Sequence, residues 1–499
     1  MKQVRFLNLL LLASATMLAV SCKKSYLDTK PSDAITLEQA YASISAVNSA
    51  INSGYLQTFA FGGGNGNGGH DNYGQKSIDL ANDLMGNDMI VHTQGYGWYN
   101  GDYNYTAWTL PNGVATRSDQ AWSFYYSAVI KNANLLLDNT ANQTPSASLD
   151  ALRGEALGLR AWAYLNLINN FQQTYKGNEN AKGVPLHITI SPEDQGRGTV
   201  QEVYDQIIAD LTQAETLLTG KARASKERID VSVVRGFRAR AALVMENWAA
   251  AATYAKSART GYTLMSNTVY QSRSGFSSIS NPEWMWGALI PADKATIFAS
   301  FFSHIDATQF GYAQLGGQKK ITKALYDQIP ATDIRKNVFR APGTGTSILP
   351  DYTQTKFAVP VVGSWAADYL YMRASEMYLI EAEALARQGG KDAEARTVLE
   401  ALVGLRNPGY SAAAFSGAAL VNEILLQRRI ELWGEGFSLF DIKRTGAGLN
   451  RPTGAGNHGA PNFNPVVYQL PAASPLFLMR IPTRELNNNS KMTPADQNP

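Results

Sequence analysis

Between His92 and Trp108 six of seventeen residues are Tyr or Trp, where the 10% aromatic share of the whole 499-residue chain would give about two. Tyr96, Trp98, Tyr99, Tyr103, Tyr105 and Trp108 sit among Gly95, Gly97, Asn100, Gly101, Asp102 and Asn104. Glycine and asparagine make such a stretch a loop, and a loop does not easily bury six large rings. Rings left accessible beside amides and carboxylates suit a sugar, whose C–H faces stack on aromatics while its hydroxyls take hydrogen bonds. The expected ligand-binding residues are therefore Tyr96, Trp98, Tyr99, Asn100 and Tyr103, with Asp71 and Tyr73 from the preceding glycine-rich turn as polar neighbours. Trp98 is the foremost, because Gly95 and Gly97 free the backbone around the largest flat face. The competing reading is that individual rings plug the loop onto the body of the protein.

Cys22 is the only cysteine, which excludes intramolecular disulfides and cysteine-type zinc sites. It follows a basic start (Lys2, Arg5), an apolar run from Phe6 to Val20 and the small residue Ser21. That arrangement is a lipoprotein leader, with Cys22 as the lipid-attachment residue. The alternative is a plain secretory signal with an incidental cysteine, and Ala19 departs from the usual leucine of the lipoprotein box. Beyond Val20 there is no run of about 18 apolar residues, the length a spanning helix needs.

Other chemistry-bearing patterns are weak. Gly64, Gly66 and Gly69 satisfy G-x-G-x-x-G, but neither a preceding strand nor a βαβ unit surrounds them, so a loop is expected rather than a nucleotide site. Asp79, Asp83 and Asp88 could suggest calcium, yet the EF-hand pattern is absent and solvated or capping acids are the expectation. His70, His92, His187, His304 and His458 show no ligand spacing, so neither a metal site nor a cofactor is expected. No G-x-S-x-G elbow or P-loop occurs. An enzyme is not expected, although two carboxylates could still hydrolyse a glycoside, which keeps an all-α surface glycoside hydrolase as the rival reading. Net charge is +3, from 44 basic and 41 acidic residues, and 45% of residues are hydrophobic. Such a chain folds around a sizeable core and has no electrostatic reason to bind nucleic acid.

The elements that must hold the loop are helices. Thr36 caps an expected helix with Leu37, Ala40, Tyr41, Ile44 and Val47 on its apolar face. Trp122–Leu137, Leu152–Phe171 and Val203–Leu218 are amphipathic, and Val231–Met245 with Trp248–Arg259 forms an Ala-rich hairpin similar to a tetratricopeptide (TPR) unit. Tyr270–Tyr312 breaks the pattern and could form a second wall of the ligand site. The alternation in Glu283–Ile290 points to a short strand that packs Trp284 and Trp286 inside. Later, Tyr371, Ala374, Tyr378, Ala382 and Leu385 start a hairpin that breaks at Gly389-Gly390. A charged helix follows through Arg428, Arg429 and Glu431, is interrupted at Gly434-Glu435-Gly436 and resumes at Phe440–Arg444. These charges are expected to hold the fold, because buried pairs are costly to break.

Gln427-Arg428-Arg429-Ile430-Glu431-Leu432, Glu435-Gly436 and Asp441-Ile442-Lys443-Arg444 resemble the late-helix signature of the RagB/SusD family of Bacteroidota outer-membrane lipoproteins. Tyr26–Pro31, Gly183–Leu186 and Phe477–Asn487 are similar to other parts of that family. Gln427 in place of Glu and Ser438 in place of Arg are departures, which implies that one or two family ion pairs are missing. The resemblance implies a mostly α fold of TPR-like hairpins forming a single body with long irregular loop insertions. Residues 1–21 would be the signal peptide, 22–35 a lipidated tether, 36–220 the N-terminal segment with the aromatic loop, and 221–499 the C-terminal segment of the same folding unit. It further implies a lipid-anchored outer-membrane receptor, facing outside, that binds an oligosaccharide or polysaccharide and passes it to a SusC-like TonB-dependent transporter. Some relatives take up peptides, so a peptide ligand stays open, as does a TPR-type scaffold without a small ligand.

Overall fold

The computed structural model describes residues 36–62, 69–107 and 116–499; Cys22, residues 63–68 of the glycine run and Trp108 lie outside them. The chain is mostly helical, with TPR-like hairpins interrupted by long insertions. Helix α1 spans Ile44–Gln57, α2 Gln75–Leu84, α3 Lys131–Thr140, α4 Ala147–Phe171, α5 Val200–Leu218, α6 Val231–Val244 and α7 Trp248–Arg259. Helix α8 spans Ala374–Ala386, α9 Asp392–Arg406, α10 Gly417–Glu431 and α11 Ser438–Thr445. Side chains close the N-termini as the sequence invites: Ser43, Ser146, Asp230 and Asn247 each accept a backbone N–H, and Thr199 with Glu202 forms a capping box on α5. Each helix from α3 to α9 packs on its successor, and α10 packs on α8. Small residues allow the close approach: a Cβ at Gly154 of α4 would lie 2.8 Å from Leu218 Cγ of α5.

Two elements differ from the reading of the sequence. The helix expected from Thr36 is two pieces, Leu37–Ala40 and α1, because Ser43 caps a new start. Tyr371 belongs to a strand rather than to the late hairpin: β4 (Tyr369–Arg373) runs antiparallel to β2 (Trp284–Ala288), both buried along their length. The β-forming Tyr-Leu-Tyr-Met run outweighs a coincidental helical spacing once a partner strand is present. Trp284 and Trp286 are fully buried, and Trp286 meets Trp162 of α4 edge-on at 5.1 Å.

At the start of α8 the core contains charge. Arg373 donates to Glu431 (2.7 Å), Glu283 (2.8 Å) and Glu435 (2.8 Å). Arg406 bonds Glu283 at 3.2 Å, Arg335 bonds Asp333 at 2.6 Å and approaches Glu431 at 3.3 Å, and Lys356 bonds Glu435 at 2.6 Å. Three arginines and a lysine thus face four carboxylates, all buried. Burial alone would raise the Glu431 carboxyl; Arg406, Arg373 and Arg335 outweigh it and hold the group well below the ordinary range. The family-signature charges are structural as expected: Arg428 pairs with Asp441 at 2.7 Å and Arg429 with Asp88 at 2.6 Å. Gln427, in place of glutamate, accepts from Arg335 at 2.6 Å.

Removing one partner from such a cluster strands the others. Glu431→Gln is expected to cost about 3–5 kcal/mol at neutral pH, read from urea unfolding. The folded-state pKa of Glu431 lies below its unfolded value of 4.5, so the unfolded chain binds more protons in that interval. Wild-type stability should therefore be full above about pH 5 and fall as the pH drops through the carboxylate range. The variant should show a shallower fall, and identical slopes would remove Glu431 from the account.

Candidate functional site

Strand β1 (Met89–Val91) pairs antiparallel with β3 (Lys319–Ile321), with Met89 opposite Ile321 and Val91 opposite Lys319. The pairing continues outward, His92 N–H to Gln318 O at 3.0 Å and Thr93 N–H to Gly316 O at 3.1 Å. Two aromatic stretches more than two hundred residues apart in sequence are thereby laid side by side. The first then closes into a one-turn helix, Asn100–Tyr103, entered through Tyr99 at φ 65°.

Arg117 anchors that turn. Its buried guanidinium bonds Asp102 at 3.0 and 3.1 Å, Asp71 at 2.8 Å and the Asp71 carbonyl at 2.9 Å, and it lies 4.7 Å from the centre of the Tyr99 ring. Burial raises the Asp102 carboxyl, and Arg117 opposes the shift. Arg451, buried with only carbonyl partners, lies 4.5 Å from the Tyr103 ring centre and 5.5 Å from that of Tyr105. The Tyr103 hydroxyl is 2.5 Å from His458 Nδ1. His458 Nε2 faces the Asn87 carbonyl at 2.9 Å and must donate, so Nδ1 accepts from Tyr103. Burial and then Arg451 push His458 down to about 3, and the ring stays neutral.

Above this anchored layer lies an aromatic face. His70 stacks with Trp98 (5.5 Å) and with Phe298 (6.1 Å), and its Nδ1 is 2.6 Å from the Tyr312 hydroxyl. Tyr312 contacts Tyr96 (5.2 Å), Trp98 (5.7 Å) and Phe298 (5.2 Å), while Phe61 and Phe310 extend the cluster from either side. Tyr96, Phe310 and Phe61 are 68%, 55% and 47% exposed. Below them His304 is buried, stacked on Tyr312 at 5.0 Å and on Tyr73 at 5.6 Å, with its Nε2 2.9 Å from the His70 carbonyl. Burial holds His304 well below the usual histidine range.

The sequence-predicted residues therefore divide. Tyr96 and Trp98 belong to the aromatic face, whereas Asn100 opens the one-turn helix that follows, its amide enclosed. Tyr73, Tyr99 and Tyr103 are buried, and so is Tyr105; their rings are corrected from accessible to packed. The loop buries them because arginines supply what a glycine-rich stretch lacks, a fixed polar floor for aromatic faces. Asp71 is committed to Arg117. Trp98 Nε1 and both polar atoms of the Asn100 amide make no hydrogen bond within the described protein. Phe298, Phe310 and Tyr312, from the Tyr270–Tyr312 stretch named as a possible second wall, join the face, and so do His70 and Phe61, which were not candidates. Only the aromatic richness of Tyr270–Tyr312 pointed to part of this set; nothing in sequence pointed to His70 or Phe61.

The acids read as capping or solvated divide: Asp83 and Asp88 are buried, Asp79 is mostly so, and Asp83 does cap a helix, at the start of α11. Asp83 accepts from the Gly436 and Ser438 N–H groups at 2.8 and 3.1 Å, and burial pushes it up to about 7 despite them. Asp79 meets Lys76 at 3.2 Å. Among the described residues no three His, Cys, Asp or Glu side chains gather as metal ligands would. A cleft of about 840 Å³ lies apart from the rings, between α10, α11 and Asn87-Asp88.

Residues 26–243 match the family model described as SusD-like, starch-binding associating with outer membrane, and residues 352–499 match the SusD family model. The chain belongs to the SusD/RagB family. Among solved structures it is similar to a SusD-like carbohydrate-binding protein from Bacteroides vulgatus ATCC 8482, with 26% identity, TM-score 0.77, and coverage of 91% of this chain and 98% of that one. A putative sugar-binding protein from the same organism is 24% identical, with TM-score 0.76 and the same coverages. Surface glycan-binding protein A from Bacteroides thetaiotaomicron shares the fold at 16% identity, TM-score 0.67, again over 91% and 98%. Comparison with curated proteins returns no match. In this SusD/RagB chain Ser438, where the family pattern has Arg, uses its backbone N–H on Asp83, so the position serves a helix start rather than an ion pair.

Arg117→Ala tests the anchor beneath the rings. With Asp71 and Asp102 left without their counter-charge, stability should fall by about 3–5 kcal/mol. Hydrogen exchange should quicken in residues 92–107 before it does in α6 to α8. Unchanged protection in that loop would show that Arg117 does not hold it.

Proposed function

We propose that this protein is a lipid-anchored surface glycan receptor that binds an oligosaccharide or polysaccharide on the aromatic face and passes it to a partner TonB-dependent, SusC-like transporter. The observation that carries the reading is the convergence of Phe61, His70, Tyr96, Trp98, Phe298, Phe310 and Tyr312, from three distant segments, into one partly exposed aromatic surface. Exposed rings of this density are unfavourable in water and mark a binding surface. The family model's description, starch-binding associating with outer membrane, supports it. So does the similarity to a SusD-like carbohydrate-binding protein.

The hydrolase rival needs a carboxyl free to protonate a leaving group and a second one facing it. Asp71 and Asp102, the carboxylates of the loop and its preceding turn, are both held by Arg117. A scaffold without a small ligand leaves the exposed rings without a purpose. Attachment through Cys22 rests on the leader, and no helix of the described residues is long and apolar enough to cross a membrane.

Calorimetry against a glycan panel tests the face. Trp98→Ala is expected to weaken binding roughly 30-fold, about 2 kcal/mol, with little change in melting temperature. Tyr103→Phe should do the reverse, losing the His458 hydrogen bond at about 1 kcal/mol of stability with affinity retained. Release of reducing ends during incubation would favour the hydrolase. Cys22→Ala should move the protein out of the membrane fraction, and a partner barrel should cease to co-purify with it.

A further inference from the structure

We infer that the aromatic face selects an uncharged glycan and discriminates against uronate-bearing and sulfated ones. The inference rests on the receptor reading above and names the class of its ligand. It comes from accounting for every ionisable side chain in the segments that build the face.

In the turn and first loop these are Asp71 and Asp102, both clamped by Arg117, and Lys76, which is buried against Asp79 and the Phe301 ring. His70 is engaged with Tyr312, and His92 lies 3.2 Å from Asn462 Oδ1. In the second stretch Asp306 is buried. Its carboxylate accepts from the Thr308 and Val359 N–H groups at 2.8 and 2.9 Å and meets Arg273 at 3.4 Å. Arg273, itself partly exposed, also donates to the Val359 carbonyl and to Thr308 Oγ1. Lys319 is buried and donates to the Gly317 carbonyl at 2.6 Å, Lys320 is buried and donates to Asn462 Oδ1 at 2.9 Å, and Glu283 is buried between Arg373 and Arg406. Asp293 and Lys294, exposed before Ile297, pair with each other at 3.7 Å. His304 is enclosed under the rings and held neutral by burial. Residues 63–68 and 108–115, which flank the face in sequence, carry no ionisable side chain, and neither does 358–367.

The polar groups of the loop left without a partner are neutral: the Trp98 indole N–H and the two ends of the Asn100 amide. Both groups are enclosed and uncharged, so they add no charge to the face. A carboxylate or sulfate moved from water onto this face would lose hydration with no cation to replace it. It would also meet the electron-rich faces of the rings, whose quadrupole repels anions.

The test is affinity electrophoresis and calorimetry of the soluble residue 25–499 protein and its Trp98→Ala variant. Neutral polymers (amylopectin, xyloglucan, arabinoxylan, mannan, levan) are compared with acidic ones (polygalacturonate, alginate, heparin, chondroitin sulfate), each at about 0.1 M and about 1 M salt, where screening differs threefold in range. The expected result is binding to at least one neutral polymer, lost in Trp98→Ala and changed less than about twofold by salt, with acidic polymers at least roughly 30-fold weaker. An acidic polymer bound as tightly as any neutral one, sensitive to Trp98→Ala and weakened by salt, overturns the inference while leaving the receptor reading standing. Binding to neither class overturns both. Acidic binding that survives Trp98→Ala, with no neutral binding, also overturns both, because the ligand then sits elsewhere.

Discussion

Glu431 and Arg373 meet at 2.7 Å with essentially no exposure to water, and most of the C-terminal architecture depends on that contact being made. A buried carboxylate without its guanidinium would cost several kcal/mol, so the fold tolerates this glutamate only where Arg373, Arg406 and Arg335 all reach it. Those residues come from the end of β4, the last turn of α9 and the segment after Asp333. Glu283 adds the approach to β2, and Glu435 with Lys356 adds the chain between α10 and α11. Opposite charges in balanced number make the arrangement self-consistent, and any other register of these segments would leave charge unpaired. Such a cluster contributes little net stability compared with apolar packing, but it rejects alternatives strongly.

From that centre the constraint passes outward through packing. Strand β2, held beside β4, carries Trp286 against Trp162 and Phe237, which joins the late part of the chain to α4 and α6. On its other flank α11 packs on α2, and Asp83 of α2 receives the N–H groups that open α11. Helix α2 leads through β1 into the aromatic loop. The position of the loop is thus inherited from helices whose own placement the buried charges decide.

The loop repeats the same physics on a smaller scale. Arg117 and Arg451 provide guanidinium planes against which Tyr99, Tyr103 and Tyr105 pack. Three buried tyrosines immobilise a glycine-rich segment, and Tyr96 and Trp98 can then be presented without the entropy cost of ordering a mobile loop on binding. The buried rings therefore serve the exposed ones, which explains why so many aromatics lie in one short stretch.

The sequence by itself determined the helical hairpins, the family signature and the inward strand of Trp284 and Trp286, because apolar periodicity is a local property. It also located the aromatic loop and singled out Trp98. It did not determine which rings of that loop face water: Tyr99 and Trp98 are neighbours of similar type, and only Arg117, near in space to one, separates their fates. Nor did it show that His70, Phe298 and Tyr312 would join Trp98, since that meeting requires β1 to pair with β3 across more than two hundred residues. Tyr371 marks the same boundary from the other side, for its spacing fits a helix until β2 supplies a strand to pair with. Composition and local pattern carry what a segment can become on its own. Burial, ion pairing and the exposed face belong to distant contacts, which only the tertiary structure brings within reach.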